Sequence, residues 1–246
     1  MIGILAQGGS GPVIPDFGGG GASNSCVRDN HLFCWHWFQQ NWSDTFQPAL
    51  LEHIVLTVVA LAIGFVISFA AALFAYRYRW FDFPFTTVSA FLYTIPSLAL
   101  FQVLVGITGL TLATALIPLV TYTLLILFRN TLIGLREVPD DVREAARGMG
   151  LTRRQILWRV ELPLALPAIL AGLQIAAVTV VSLATVAAFV YDHGLGSPIF
   201  DAINRGTFKT ELIGAGGLAI LLGVASYAFF AIIQRVATPW ARFRRA

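Results

Sequence analysis

Asp140 to Pro163 reads DDVREAARGMGLTRRQILWRVELP, a long charged segment set between two long apolar ones. Pro139 followed by Asp140 and Asp141 suits a helix start, where a missing donor does no harm and negative charge meets the positive end of the dipole. Gly148 and Gly150 suit that helix's end, because glycine enters the left-handed region cheaply. Thr152 then reads as a fresh N-cap, with Gln155 three residues later completing a capping box. Ile156, Leu157 and Val160 give the second helix an apolar face, with Arg153, Arg154 and Arg159 placed elsewhere around it. Ala145 and Ala146 are small enough for another protein's surface to approach that backbone closely. The pattern predicts two short helices with a break between them.

Outward from this segment the composition is that of a membrane protein. Of the 246 residues, 57% are hydrophobic and 12% charged, about half the charge density of soluble domains; mean hydropathy is +0.75. Each crossing of a bilayer needs about 20 apolar residues. Ile54 to Tyr76 is free of charge and forms a first span, about 54–76. Residues 83–128 also lack charge, too long for one helix, and the turn Gly106-Ile107-Thr108-Gly109 divides them into spans at about 85–106 and 110–128. Two more follow at about 164–190 and 212–234. The expected fold is an all-α integral membrane protein of five transmembrane helices, with a transmembrane domain over 51–236 and the charged loop at 131–163 inside it.

Ahead of the spans, residues 1–50 read as an extracellular tail. The first 30 are polar and glycine-rich, with Gly18 to Gly21 in a row, which predicts flexibility. Residues 31–50 hold Trp35, Trp37 and Trp42 and predict a short interfacial helix, since amphipathic rings favour the headgroup zone. Cys26 and Cys34 are the two cysteines. Outside the cell they can pair; His31 and His36 lie nearby, but zinc sites prefer tighter spacing, so free or paired thiols are favoured over metal. Met1 to Ala6 has no basic region and too short an apolar run for a cleaved leader, so the first span is expected to direct insertion itself.

The basic residues set the orientation. With the charged loop inside, the pieces 77–84, 129–163 and 235–246 hold 13 of the 16 lysines and arginines, and residues 237–246 form a basic cytoplasmic tail. Arg28, Arg205 and Lys209 remain outside. Five spans then put the N-terminus outside and the C-terminus inside. The pI of about 9.1 reflects topology and not nucleic-acid binding.

Other function classes lose ground on the residues. Lys209, in GTFKT, belongs to no GxxxxGK[ST] phosphate loop, so this chain is no ATP-driven motor. Coupled carriers commonly bury ionisable relays in the membrane, and the five expected spans contain no Asp, Glu, Lys or Arg. The histidines at 31, 36, 53 and 193 have no evident nucleophilic partner, so no catalytic residues are assigned. Polar side chains within the spans face either a cavity or a neighbouring helix. Tyr93, Ser97, Gln102, Tyr122, Gln174, Thr179 and Ser182 are therefore the candidates for a translocation pathway. Pro96 predicts a kink in span two. Gly214, Gly216, Gly217 and Gly223 predict close packing of span five within the chain or against another subunit.

The charged segment resembles the EAA loop of ABC importer permeases, which runs EAA, three residues, G, nine residues, I-x-L-P. Glu144, Ala145, Ala146, Gly150, Leu162 and Pro163 stand at the matching spacing, with Val160 for the isoleucine. A narrower resemblance, over roughly 50–236, is to permeases for glycine betaine, choline, carnitine and related osmoprotectants. LLEHIVLTVVALAIGF, YTIPSLALF (Tyr93 to Phe101) and TVAAFVYDHGLGSPIF (Thr185 to Phe200) carry it. Where that family has glycine-alanine-glycine before GLG, this chain has Tyr191-Asp192-His193, a departure near the expected outer gate. The resemblance implies a type I importer core in a bacterial cell membrane. It implies a second permease subunit (a copy or a relative), ABC ATPase subunits that carry ATP and magnesium, an extracellular or periplasmic substrate-binding protein, and no cofactor on this chain. It implies that the loop docks on the ATPase, with Glu144, Arg147, Arg153 and Arg154 as contacts and Gly150 as the bend; individual arginines facing lipid headgroups is an equal reading. Permeases for an amino acid such as methionine share part of the pattern, and a carrier or scaffold working without an ATPase is the third reading.

Overall fold

The computed structural model describes residues 25–240, and those residues are helical with no strand among them. A short α1 (Ser25–Arg28) leads to α2 (Trp35–Gln40). A π-helical turn at Trp42–Phe46 runs directly into the long α3 (Gln47–Arg77). After a 3-10 turn at Arg79–Phe81 come α4 (Asp82–Thr94), α5 (Ser97–Thr108) and α6 (Leu112–Arg136). The charged segment supplies α7 (Asp140–Gly148) and α8 (Arg153–Ile156), and a second π turn at Leu157–Glu161 joins α8 to α9 (Leu162–Ala187). Then follow α10 (Gly196–Asn204) and α11 (Lys209–Ala237).

Among the described residues, four continuous stretches are long and apolar enough to cross a membrane: Trp42–Arg77, Leu112–Arg136, Arg153–Ala187 and Lys209–Ala237. They contain, in whole or nearly so, the expected spans at 54–76, 110–128, 164–190 and 212–234. The expected span at 85–106 is not one continuous helix. Arg79–Thr94 and Ser97–Thr108 qualify only as a pair, bent by 96°, so a break replaces the kink predicted at Pro96. Ile95 is extended (φ −66°, ψ 128°), as a residue before proline is driven to be, and Pro96 brings no N–H to continue the helix. The Tyr122 hydroxyl of α6 donates to the Ile95 carbonyl and ties the break down. The expected turn also falls later: α5 continues through Thr108, Gly109 takes φ +70°, and Thr111 with Thr114 forms a capping box for α6.

Two further boundaries move. The second helix of the charged segment is not a separate piece but the start of the fourth long stretch, 35 residues from Arg153 to Ala187. Pro163 lies in the first turn of α9; a proline clashes with the carbonyl four residues back, and the widened π turn immediately before it relieves that clash. Near the N-terminus, residues 42–50 belong to the first long stretch rather than to an interfacial helix. Trp37 packs edge-on against Phe208 at 4.7 Å, and Phe38 against Phe46 at 4.5 Å. Cys26 and Cys34 are joined in a disulfide, which consumes both thiols. Residues 1–24, with the Gly18–Gly21 run, and most of the basic tail at 237–246 lie outside the described residues.

Helix α6 forms the centre, packed along α3 on one side and α9 on the other, with α11 against α9 and α10. A methyl on Gly134 of α6 would lie 2.8 Å from Ala168 Cβ and 3.0 Å from the Ala165 carbonyl, so small residues let these two helices approach closely. Phe101 of α5 is fully buried in the same core with Leu56, Leu119 and Val180. Of the four long stretches, the last, α11, is the least buried: only 6% of its apolar window is inside.

Candidate functional site

The break in the charged segment is built by backbone hydrogen bonds. Leu151 N donates to the Ala146 carbonyl and Gly150 N to the Arg147 carbonyl, the paired 6→1 and 5→2 bonds that close a helix on a left-handed residue. That residue is Gly150, at φ +80°, with open space where a side chain would stand. Two residues on, Thr152 N donates to Gln155 Oε1 at 2.8 Å, and the two residues form the predicted capping box. The corner is therefore fixed in shape without a core of its own.

Arg143 fastens this corner to the bundle. Its Nε reaches Glu161 Oε1 at 2.9 Å, one Nη reaches Asp140 Oδ1 at 2.6 Å, and the other donates to the Leu135 carbonyl at 2.9 Å. Glu161 also accepts a hydrogen bond from the Tyr76 hydroxyl at 2.6 Å. One guanidinium thus links α7 to the end of α6, the root of α9 and, through Glu161, the end of α3. Burial disfavours the charged guanidinium, but the bonds to Asp140 and Glu161 outweigh it and hold Arg143 above its ordinary range. Arg136 makes a second tie, at 2.6 Å to Asp82 of α4.

With its root held, α7 presents Glu144, Ala145 and Arg147 to solvent and buries Ala146. Arg153 and Arg154 are exposed on α8, and among the described residues neither forms an ion pair. Leu162 and Pro163 are half-buried at the root of α9, apart from the exposed face of α7. Arg143 and Glu161 are the residues sequence reasoning passed over. Their spacing of 18 positions carries no local signal, and Arg143 is one of seven arginines in 129–163 that charge alone does not tell apart.

A second constructed corner closes the other end. His53 is fully buried; Leu195 N donates to its Nδ1 at 3.2 Å, and its Nε2 lies 3.1 Å from the Val181 carbonyl. Those two contacts put the proton on Nε2 of a neutral ring. Glu52 accepts a hydrogen bond from Gly194 N at 3.0 Å. A methyl on Gly196 would fall 2.0 Å from the Thr185 carbonyl, so this loop sits directly on the end of α9. Within Tyr191-Asp192-His193 the two rings stack at 4.1 Å, and the Ser197 hydroxyl bonds Asp192.

The seven polar pathway candidates are not gathered in one cavity. Tyr93 and Tyr122 have ring centres 5.5 Å apart beside the α4–α5 break, and Ser97 opens α5 just after it. Gln102 is exposed on α5. Gln174 is buried and donates to Gln234 Oε1 at 2.8 Å, while Gln234 donates to the Pro167 carbonyl, so this amide joins α9 to α11. The Thr179 hydroxyl bonds the Ile175 carbonyl of its own helix. Ser182 lines a cavity of about 700 Å³ between α9 and α11, with Thr185, Gly216, Gly223 and Tyr227. Of the small residues of α11, Gly214 packs against Phe38 and Phe46, while Gly216 and Gly217 face open space.

Residues 64–242 match the family described as binding-protein-dependent transport system inner membrane component. The chain is 32% identical over 172 residues to the carnitine transport permease protein OpuCB of Listeria monocytogenes, covering 70% of this chain and 78% of that protein. It is 31% identical over 204 residues to the glycine betaine/carnitine/choline transport system permease protein OpuCD of Bacillus subtilis (strain 168), covering 83% and 85%. Against the ergothioneine transport permease/ergothioneine binding protein EgtU of Helicobacter pylori (strain G27), identity is 43% over 145 residues; the match takes in 58% of this chain but only 26% of that longer protein. In three dimensions the chain superimposes on an inward-facing MetNI methionine ABC transporter with a TM-score of 0.68 at 24% identity, over 77% of this chain and 94% of that one. That likeness concerns fold. The α7 corner, the C-terminal part of α3 and all of α4 to α11 fall within the family match, and the chain belongs to the binding-protein-dependent transport system inner membrane components.

Proposed function

We propose that this chain is the permease subunit of a binding-protein-dependent ABC importer, and that its solute is a compatible solute such as glycine betaine, choline or carnitine. The observation that carries the reading is the α7 corner. An exposed face of Glu144, Ala145 and Arg147 projects from a helix whose root is fastened to α3, α6 and α9 through Arg143, as a lever driven by a partner requires. The partner would be an ABC ATPase, which would hold ATP and magnesium; this chain's own part is mechanical and it carries no cofactor. Arg147, Arg153 and Arg154 are proposed to meet acidic groups of that ATPase, with Gly150 setting the bend.

In this reading the broken pair α4–α5 counts as one crossing, giving five spans, with the N-terminus and the disulfide outside, the α7 corner and C-terminus inside, and the whole in a bacterial plasma membrane. A second permease subunit covers the exposed flank of α11, and an extracellular or periplasmic binding protein delivers solute to the Glu52–His53 end. The named relatives in sequence transport carnitine, choline and glycine betaine, which favours these over an amino acid such as methionine. Tyr93, Tyr122, Ser97 and Ser182 are the pathway residues this reading retains first, and Gln174 is retained as a helix tie.

Co-purification of the tagged chain from native membranes tests the assembly. An ATPase subunit is expected in the eluate and is expected to be lost on changing Glu144 and Gly150. Recovery of the chain without an ATPase under gentle detergent would turn the reading to an ATPase-independent carrier or scaffold. Uptake of labelled betaine, choline and carnitine then tests the solute class.

A further inference from the structure

A cavity of about 1040 Å³ opens between the ends of α3 and α6 and the inner side of the α7–α8 corner. Among the described residues, seven arginines line it against two acids, Asp140 and Glu161. Arg143 is committed to both acids, and Arg136 to Asp82. The other five have no acidic partner among the described residues: Arg77 and Arg79 beside α3, Arg147 on α7, and Arg153 and Arg154 on α8. Converging guanidiniums repel one another unless an anion sits among them, and a guanidinium fork matches phosphate oxygens in pairs. Leu73 and Leu151 add an apolar wall to the same cavity. Trp80, next in sequence to the lining Arg79, and Trp158, next to the lining Leu157, are 69% and 53% exposed, ring types that collect at headgroup depth.

We infer that this arginine-lined cavity is a binding site for a phosphate group, carried either by an anionic phospholipid headgroup or by a free phosphate ion. The site lies behind the lever, between its root and the spans it would move, so an occupant ties α8 to the end of α3 by charge. The inference rests on the reading that this end of the bundle faces the cytoplasm, where anionic headgroups and free phosphate are both available.

The test is calorimetric titration of the purified full chain in non-ionic detergent at fixed ionic strength. The probes are dioctanoyl phosphatidylglycerol, dioctanoyl phosphatidylcholine and inorganic phosphate. Saturable binding of phosphatidylglycerol but not phosphate supports a lipid headgroup. Binding of inorganic phosphate supports a soluble source. In either case Arg153→Gln with Arg154→Gln weakens binding by about tenfold or more, because charge-assisted bonds are lost from the cavity wall. Arg159→Gln, one turn away and outside the cavity, leaves binding unchanged. If the first pair unfolds, Arg77→Gln with Arg79→Gln is the equivalent test from the opposite wall. Equal affinity for phosphatidylglycerol and phosphatidylcholine without phosphate binding, no binding at all, or wild-type affinity in a folded double variant overturns the site. No ATPase is present in the titration, so its failure is a separate result from loss of ATPase at co-purification.

Discussion

Replacing Arg143 with methionine removes one guanidinium that serves three elements at once. The Arg143 side chain is 14% exposed and that of Glu161 is 8% exposed, so the pair is shielded from solvent and from salt. In the variant, Glu161 keeps the Tyr76 hydroxyl and loses its cation. Stranding one member of a buried ion pair costs about 3–5 kcal/mol. In a chain of this size each kcal/mol moves the melting midpoint by roughly 2–4 °C. Arg143→Met is therefore expected to melt roughly 6–20 °C below the wild type. Adding Glu161→Met removes the stranded charge, and replacing a whole buried pair by apolar groups of similar volume is often neutral, so the double variant should return to within about 1 kcal/mol of the wild type. Stability and coupling then separate. The double variant keeps its fold, but α7 no longer pulls on α3 and α9, so ATP-driven uptake in proteoliposomes with the partner ATPase should be lost. Thermal unfolding in detergent and uptake are the two measurements. An Arg143→Met variant that melts with the wild type refutes the energetic argument, and a double variant that transports normally refutes the lever.

Three further outcomes are expected. Gly150→Ala meets no steric obstacle but must hold φ +80°, at roughly 1–2 kcal/mol, so ATPase recovery should fall with the chain still inserted; Gly150→Pro, whose φ is fixed near −65°, should abolish it, and wild-type transport by the proline variant would remove the corner from the mechanism. Gly196→Ala would drive a methyl to 2.0 Å from the Thr185 carbonyl, a backbone atom that cannot swing aside, and should lower stability by about 1–3 kcal/mol, whereas Gly216→Ala meets open space and should melt with the wild type. Intact cells should show no maleimide labelling at Cys26 or Cys34 until a reductant is added, after which both label from outside; labelling without reduction would contradict the disulfide, and labelling only after permeabilisation would contradict the orientation.

The parts of this molecule that could be read from sequence are those whose causes lie within a turn or two of chain. Gly150 and the Thr152–Gln155 box were legible because a helix end and a helix cap are decided by neighbours three to five residues away. Charge-free length located four of the long helices for the same reason. Pro96 shows where this stops. Proline at that position announces a disruption, but whether the helix kinks or breaks by 96° depends on what receives the freed backbone, and that is Tyr122, 26 residues further on. Helix α10 was missed because nine residues are too few for a span, although Asp201 and Arg205 one turn apart were a usable sign. His53 looked partnerless because its partners, Val181 and Leu195, are backbone groups more than 120 residues away.

Arg143 is the most instructive case, because the sequence does mark it, only as one of thirteen arginines that set orientation. Counting positive charge by location treats every guanidinium alike, yet the fold divides them by function. Arg136 and Arg143 are consumed by carboxylates and act as rivets. Arg147, Arg153 and Arg154 carry the same charge but form no ion pair among the described residues, as the proposed contacts to an ATPase or a phosphate require. What separates the two groups is burial beside an acid from another element: Glu161 is buried at the root of α9, and a buried carboxylate must find a cation. A glutamate two residues before the Pro163 that opens a long apolar helix is thus the sequence feature that predicts a rivet, and the arginine at the head of the charged segment is the cation within its reach.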